Sequence, residues 1–202
     1  MKIALLIEGQ TERVFLPHLR RFLQTRLPGK MPRFDPLPYD GRIPTGERLK
    51  REVERLLRNG KPPADAVIAL TDVYTGTTEF IDAQDAKSKM RTWVGNNNRF
   101  YPHAAQYEFE AWLLPFWDTI QRLAGHNMRS PGPLPEAVNH TRPPAVRIRE
   151  IFEAGNRNRF YIKPRDADRI LRENNLLDSA MACPELRSLL NTILRLRGGQ
   201  DV

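Results

Sequence analysis

Cysteine is almost absent from this chain of 202 residues, which contains Cys183 alone. An intramolecular disulfide and a cysteine-based metal cluster are therefore both excluded within one chain. A chain of this length can bury a substantial core without either kind of cross-link. Since this pattern is typical of proteins kept in a reducing compartment, we expect a cytoplasmic protein.

Long apolar runs and a phosphate loop are missing as well. The N-terminal run "IALLI" is shorter than the apolar core of a secretion signal and continues directly into the polar segment "EGQTER". No other stretch approaches the roughly 18 to 20 apolar residues of a membrane span, so we expect no membrane association. The sequence has no G-x-x-x-x-G-K-[ST] motif, and any NTP hydrolysis would have to come from elsewhere.

Positive charge, in contrast, is plentiful. The 32 Lys and Arg residues exceed the 24 Asp and Glu residues, giving a net charge of +8 and a pI near 10.0, which is compatible with DNA or RNA as a partner. Between Asn139 and Arg172, nine basic residues stand against four acids, with Phe160 and Tyr161 among them. This stretch could neutralise phosphates and stack on a base. Alternatively, it is a solvated Arg-rich surface with an aromatic side chain in the core.

Apolar periodicity predicts an α/β fold with a mostly parallel, Rossmann-like sheet flanked by helices. Residues 2–7 are apolar on both alternating faces, as in a strand covered on both sides, and "ADAVIALTD" repeats this pattern. Two more strands are predicted at residues 33–37 and 100–109. Helical spacing predicts helices at residues 11–27, 45–58, 79–94, 110–125, 145–152, 167–171 and 186–196.

A proline-rich stretch divides the chain. Residues 130–144 contain five prolines. We therefore predict an α/β core at residues 1–129 and a basic helical C-terminal extension at residues 130–202 that packs on this core.

Acidic residues follow three of the predicted strands. Glu8 follows the first strand, Asp72 ends the middle one, and Glu108 and Glu110 surround the end of a later one. If the strands are parallel, these acids lie at the carboxyl edge of the sheet, where α/β proteins hold ligands. Gathered carboxylates need a cation, and Mg²⁺ or Mn²⁺ suits oxygen ligands and a phosphoester substrate.

Each acid also has a structural interpretation. In "HAAQYEFEAWLL", strand alternation puts Gln106, Glu108 and Glu110 on one face, but these acids could instead cap a helix that begins near Glu110. Glu8 and Asp72 could belong to a helix cap or an ion pair. The histidines show no paired ligand spacing; His18 falls on an apolar helix face, and His103 is the one to test.

Several separated motifs carry a family resemblance. They are "IEGQTER", "ALTDVYTGTTEF", "HAAQYEFEAWLL", "PEAVN", "PPAVRI" and "YIKP". In this order they resemble the bacterial family called domain of unknown function 4276. That family is similar to TOPRIM domains, the metal-binding phosphoryl-transfer modules of topoisomerases, primases and OLD nucleases. The resemblance extends over almost the whole chain, from near Lys2 to about Leu194, and implies a TOPRIM-like core.

The resemblance also implies roles for single residues. Glu8 matches the glutamate of the first TOPRIM strand, a general acid/base or metal ligand, and Asp72 matches the first aspartate of the Asp-x-Asp element. Tyr74 stands where the second aspartate would be, which puts two-metal chemistry in doubt. Glu108 or Glu110 could supply the missing ligand, with Glu79 and Asp82 as substitutes. For phosphate binding, the resemblance and the basic stretch indicate Arg147, Lys163, Arg142 and Arg149.

Two functional hypotheses follow. Members of the resembling family are similar to components of bacterial anti-phage defence loci and often accompany an ABC-type or AAA-type ATPase. The first hypothesis is a metal-dependent phosphodiesterase, a nuclease on DNA or RNA, that acts with such a partner. The second is a degenerate TOPRIM-like subunit that binds an ATPase or nucleic acid without cleaving it.

Overall fold

The computed structural model describes residues 1–39, 41–74, 78–138, 142–155 and 160–202. Its strands are β1 (Lys2–Ile7), β2 (Arg33–Pro38), β3 (Ala66–Asp72) and β4 (Phe100–Ala105). Its helices are α1 (Gln10–Gln24), α2 (Gly46–Arg58), α3 (Ala83–Val94), α4 (Trp117–Ala124), α5 (Pro144–Ala154), α6 (Lys163–Glu173), α7 (Leu176–Ala182) and α8 (Pro184–Leu196), with 3₁₀ helices at Phe109–Phe116 and Pro135–Ala137. The four strands form one parallel sheet in the order β2-β1-β3-β4, which confirms the predicted α/β architecture.

Helices cover both faces of the sheet. In β1, Ile3 and Leu5 pack into a core formed with α1 and the C-terminal helices, whereas Ala4 and Leu6 pack into a second core formed with α2 and α3. All four side chains are almost fully buried. Because neither face meets solvent, the strand carries no alternating polar positions, and this is why the N-terminal run is continuously apolar.

The chain does not continue as a strand to residue 109, and that prediction was wrong. β4 ends at Ala105, and Tyr107 then adopts a left-handed backbone conformation with φ of 67°. The Glu108 amide donates to the Gln106 carbonyl at 3.1 Å, and the 3₁₀ helix begins at Phe109. Because alternation requires extended backbone, the predicted polar row does not form.

Two helix predictions also need correction, and one helix was not predicted. The third helix begins at Ala83 rather than near residue 79, since the Asp82 side chain accepts the Asp85 amide at 2.7 Å and caps it there. The helix predicted from residue 110 starts as the 3₁₀ helix containing Pro115 and becomes α4 at Trp117. The seven residues of α7 were not predicted, because so short an element has too few turns for a periodic pattern.

The C-terminal residues share a core with the sheet. Phe152, Ile170 and Leu190 belong to the same buried cluster as Ile3 and the aromatic side chains of the first 3₁₀ helix. A domain boundary after residue 129 remains a prediction, because this shared core does not locate one. No helix in the described part of the chain is both long enough and apolar enough to cross a bilayer.

The two aromatics of the basic stretch differ in environment. Phe160 is 71% exposed, whereas Tyr161 packs on Phe152 with ring centroids 5.7 Å apart. Tyr161 therefore packs on the core, as the second alternative has it, whereas base stacking by the exposed Phe160 stays a prediction. Arg157 and Arg159 of the same stretch lie outside the described residues.

Candidate functional site

The site lies where the strand order reverses. From β1 the sheet extends to β2 on one side and to β3 on the other, so the crevice between β1 and β3 opens at their carboxyl ends. Ligands bind in such crevices in open α/β sheets. Glu8 directly follows β1 and Asp72 is the last residue of β3, so two of the predicted acids lie at this point.

The Glu8 side chain is buried and accepts hydrogen bonds from three donors. Its side chain accepts a hydrogen bond from the Thr71 hydroxyl and from the backbone amides of Asp72 and Ile43. The residue is only 6% exposed. Burial raises the pKa of Glu8 to about 7, against the effect of these hydrogen bonds, and the nearby charge of Glu12 adds to the rise. Glu8 can therefore gain or lose a proton near neutral pH.

Asp72 is surrounded by other carboxylates. Its Oδ1 accepts the Phe109 amide at 3.0 Å, which ties the end of β3 to the start of the 3₁₀ helix. Burial raises the pKa of Asp72 well above its ordinary value, and the charges of Glu12, Glu8 and Glu110 raise it further. Deprotonation of Asp72 is thus opposed by each of its three acidic neighbours.

Glu12 belongs to this group, and the sequence analysis missed it. The residue is buried in the first turn of α1, and burial raises its pKa. The amide of Gly9 hydrogen-bonds the carboxylate, which is one half of a capping box. The available signal was helical spacing: Glu12 precedes Phe15, Leu16 and Leu19 by three, four and seven residues, and so lies on the apolar face.

Glu110 reaches the site from the first 3₁₀ helix. It is 1% exposed, and burial raises its pKa to about 7 despite the opposing charge of Lys163. The Lys163 Nζ lies 3.2 Å from Glu110 Oε2, and the Tyr161 hydroxyl donates to Glu110 Oε1 at 3.4 Å. The start of α6 thus supplies the basic partner of a carboxylate on a distant segment.

Glu108 has a mainly structural position. Its Oε2 accepts the Ala145 amide at 3.2 Å, so it caps the start of α5, and it lies 3.6 Å from Lys163 Nζ. The predicted capping of a helix beginning near Glu110 is therefore wrong, because the 3₁₀ helix at Phe109 has no side-chain cap and Glu108 caps α5 instead.

We refer to Glu8, Glu12, Asp72 and Glu110 as the acidic cluster. Lys163 acts electrostatically on three of the four and is their principal counter-charge. In kind, this donor set suits a hard divalent cation, because carboxylate oxygens that repel one another gain most from one. Within the described ranges, no three Asp, Glu, His or Cys side chains already stand in the arrangement of a metal site. Cation binding would therefore require the carboxylates to turn away from their present donors.

The other candidate ligands lie elsewhere. Glu79 pairs with Arg42, and Asp82 caps α3. His103 is buried against α8, where its Nε2 lies 3.0 Å from the Thr192 hydroxyl. His18 is buried as predicted and its Nε2 contacts Asp168 at 2.9 Å.

The three arginines predicted to bind phosphate are separate from the acidic cluster. Arg142 pairs with Glu150 through an Nε–Oε1 hydrogen bond of 2.9 Å, and the exposed Arg149 lies 3.7 Å from Glu153. Arg147 is partly buried in the first turns of α5, and its Nε has no hydrogen-bond partner in the described part of the chain. Of the predicted basic residues, Lys163 alone is brought to the acids.

A family model confirms the resemblance noted in the motifs. The model for "Domain of unknown function (DUF4276)" matches residues 7–194, which is most of the chain and includes the whole acidic cluster. The chain belongs to the DUF4276 family. A comparison of this DUF4276 protein with curated proteins found no match.

Solved structures similar to the DUF4276 protein are C-terminal regions of OLD proteins. The region from Burkholderia pseudomallei aligns with a TM-score of 0.52 and 13% identity, covering 96% of this chain and 97% of that chain. A region from Xanthomonas campestris pv. campestris aligns with a TM-score of 0.50 and 14% identity, covering 97% of this chain and 95% of that chain. At these identities the likeness establishes a common fold alone.

Proposed function

We propose that this protein is a Mg²⁺- or Mn²⁺-dependent phosphodiesterase that cleaves DNA or RNA. The observation that carries the proposal is the acidic cluster, four carboxylates with raised pKa values at the carboxyl edge between β1 and β3, with a lysine beside them. The fold shared with the C-terminal regions of OLD proteins supports it, as does the net charge of +8.

Each residue of the site has a proposed role. Asp72, Glu110 and Glu12 would hold the cation, with Glu108 as a further candidate, and Glu8 would either join them or accept a proton from the attacking water. A bound divalent cation would stabilise the negative charge that develops on phosphate oxygens. A base with a pKa of about 7 is matched to proton transfer at neutral pH. A cation held by Glu110 would offset the negative charge that Lys163 pairs with, and the Lys163 ammonium would then be free to contact a phosphate oxygen.

Cleavage by purified protein tests this role. We expect single-stranded DNA, double-stranded DNA or RNA to be cut in Mg²⁺ or Mn²⁺, and we expect Glu8→Gln, Glu12→Gln and Asp72→Asn each to lower the rate by about a hundredfold or more. The matched control is Glu47→Gln, a similar change at an exposed acid in the first turn of α2. Full cleavage by Asp72→Asn would overturn the proposal.

A second candidate function has its own support. The carboxylates are engaged by Thr71, by the Phe109 amide and by Lys163, and no ligand set is preformed within the described residues. A subunit that binds nucleic acid or a partner without cleaving would fit this arrangement. Metal-independent binding of nucleic acid, unchanged by Glu8→Gln and with no cleavage by wild type, would favour this candidate.

We further propose that the site acts with an ABC-type or AAA-type ATPase in bacterial anti-phage defence. The solved neighbours are C-terminal regions of OLD proteins, so in those proteins a unit of this fold is part of a longer chain. The sequence printed here has no phosphate loop. We therefore expect no ATP hydrolysis by this chain alone. ATP hydrolysis by the purified chain would contradict the proposal that a separate ATPase supplies this activity.

A further inference from the structure

A positively charged pocket lies beside α5. It has a volume of about 220 Å³ and is bounded by Trp117, by residues 128–131 and by the first turns of α5. The Trp117 indole donates to the Met128 carbonyl at 2.7 Å, and the Gln121 side chain donates to the same carbonyl at 3.0 Å. These two bonds fix the segment that forms one wall, so the pocket is preformed.

The arginines that line the pocket outnumber its acidic residues. Arg129, Arg142 and Arg147 line it together with one acid, Glu150. Glu150 accepts a hydrogen bond from Arg142, which leaves two arginines without a carboxylate partner among the described residues. The Arg147 Nε is buried and has no hydrogen-bond acceptor in the part of the chain that the structure describes. A buried donor of this kind is rare in a folded protein and is satisfied by a bound acceptor or solvent.

Phosphate is the ligand that this arrangement suits. A guanidinium presents a planar fork of N–H donors that matches two phosphate oxygens, and Arg147 on α5, with Arg129 and Ser130 on the segment 128–131, supplies several donors to the pocket. The buried Trp117 forms an apolar side of the pocket, beside which a sugar or base could pack.

We propose that the pocket formed by Arg129, Arg142 and Arg147 binds a phosphate group of a nucleic-acid strand. The identity of the ligand rests on the proposed function. The pocket and the acidic site are linked through α5, since the Ala145 amide donates to Glu108, which itself lies beside Lys163. The first turns of α5 therefore contact both the pocket and the acidic site. The phosphate bound in the pocket is a different one from the phosphate that is cleaved.

The structure distinguishes Arg147 from Arg149. Both lie on α5, two residues apart, but Arg149 is exposed and pairs with Glu153, whereas Arg147 lines the pocket. Since Arg149 is itself a predicted phosphate-binding residue, the control is Arg51→Gln, which removes one positive charge from an exposed position of α2 that does not line the pocket.

Binding of a fluorescein-labelled single-stranded oligonucleotide in EDTA tests the pocket without cleavage. We expect Arg147→Gln to weaken binding about tenfold or more and to lower the salt dependence by about one phosphate contact. Arg51→Gln should change affinity less than about twofold. Arg129→Gln should also weaken binding. Because Arg129 is exposed, this variant tests the pocket even if Arg147→Gln fails to fold.

A second measurement separates this inference from the proposed function. Inorganic phosphate should raise the unfolding temperature of wild type more than that of Arg147→Gln. If phosphate protects only wild type while no nucleic acid binds, the pocket stands as a phosphate site, whereas its assignment to a nucleic-acid strand and the proposed nuclease function both fail. Equal protection of wild type and Arg147→Gln by phosphate, or equal loss of affinity in Arg147→Gln and Arg51→Gln, would overturn the pocket.

Discussion

Single residues show how strongly burial alters side-chain chemistry in this protein. Glu8 and Glu110 are ordinary carboxylates by type, yet burial raises the pKa of each to about 7. His103 shows the opposite effect, because burial and the charges of Lys87 and Arg91 lower its pKa to about 3. In each case the neutral form is favoured, and in each case the cause is loss of water around the charge.

His103 also has a defined hydrogen-bonding state. The Thr192 hydroxyl donates to the Ser188 carbonyl at 3.0 Å, so its oxygen accepts from His103 Nε2–H. The Nδ1 atom is then the unprotonated nitrogen, and it has no hydrogen-bond partner among the described residues. Protonation of His103 would therefore place an uncompensated charge in the core.

This environment predicts a pH dependence of stability. The folded-state pKa of His103 is below the unfolded value of about 6.5, so its contribution to stability is present above pH 6.5 and is lost as the pH falls toward 3. Between pH 7 and pH 5 we expect the free energy of unfolding of wild type to fall by about 1–2 kcal/mol more than that of His103→Gln. Urea unfolding at the two pH values measures this difference, and equal falls would refute the assignment.

At the scale of elements, the packing of α4 against α5 sets the position of the basic pocket, because both helices line it. Gly155 ends α5 with ordinary backbone angles, φ of −70° and ψ of 0°. A Cβ atom added there would lie 2.0 Å from the carbonyl oxygen of Ala124, at the end of α4. The absence of a side chain at Gly155 is therefore what allows the two helix ends to meet.

The variant Gly155→Ala tests this contact. Because the clash is with backbone and cannot be relieved by a rotamer change, we expect a loss of about 3 kcal/mol in the free energy of unfolding. Gly29→Ala is the control, since its Cβ would lie 4.0 Å from the tip of Arg197. Denaturant unfolding compares the two, and a Gly155→Ala protein as stable as Gly29→Ala would show that the helix ends can separate at little cost.

At the scale of the whole molecule, the acidic cluster works against the stability of the fold. It gathers side chains from α1, from the ends of β1 and β3 and from the first 3₁₀ helix around Lys163. For Glu8 and Glu110 the folded pKa of about 7 exceeds the unfolded value near 4.5. Their contribution to stability is therefore present below about pH 4.5 and is lost as the pH rises through 7. Such a cost is typical of a functional site.

A divalent cation should offset the loss of stability caused by the ionised carboxylates above pH 7. It should have little effect at low pH, where the carboxylates are protonated. We expect Mn²⁺ to raise the unfolding temperature at pH 8, where the carboxylates are ionised, and to have little effect at pH 5.5. Thermal unfolding with Mn²⁺ and with EDTA measures the increment, which Asp72→Asn should lose and Glu47→Gln should keep. An increment that is equal at both pH values, or unchanged in Asp72→Asn, would exclude the acidic cluster as the metal site.

The sequence by itself determined the parallel sheet and the place of Glu8 and Asp72. Continuous apolar runs require a strand covered on both faces, and acids that end adjacent parallel strands must emerge at the same edge. Periodicity also indicated the buried face of α1, although Glu12 on that face was overlooked.

Only the tertiary structure decided the other members of the site. The left-handed turn at Tyr107 directs Glu110 inward, and Lys163 reaches it from 53 residues further along the chain. Likewise, packing alone separates Arg147 in its pocket from Arg149 at the surface. The physical reason is that a sequence pattern reports which face of an element is buried, whereas the groups opposite that face depend on how distant elements pack.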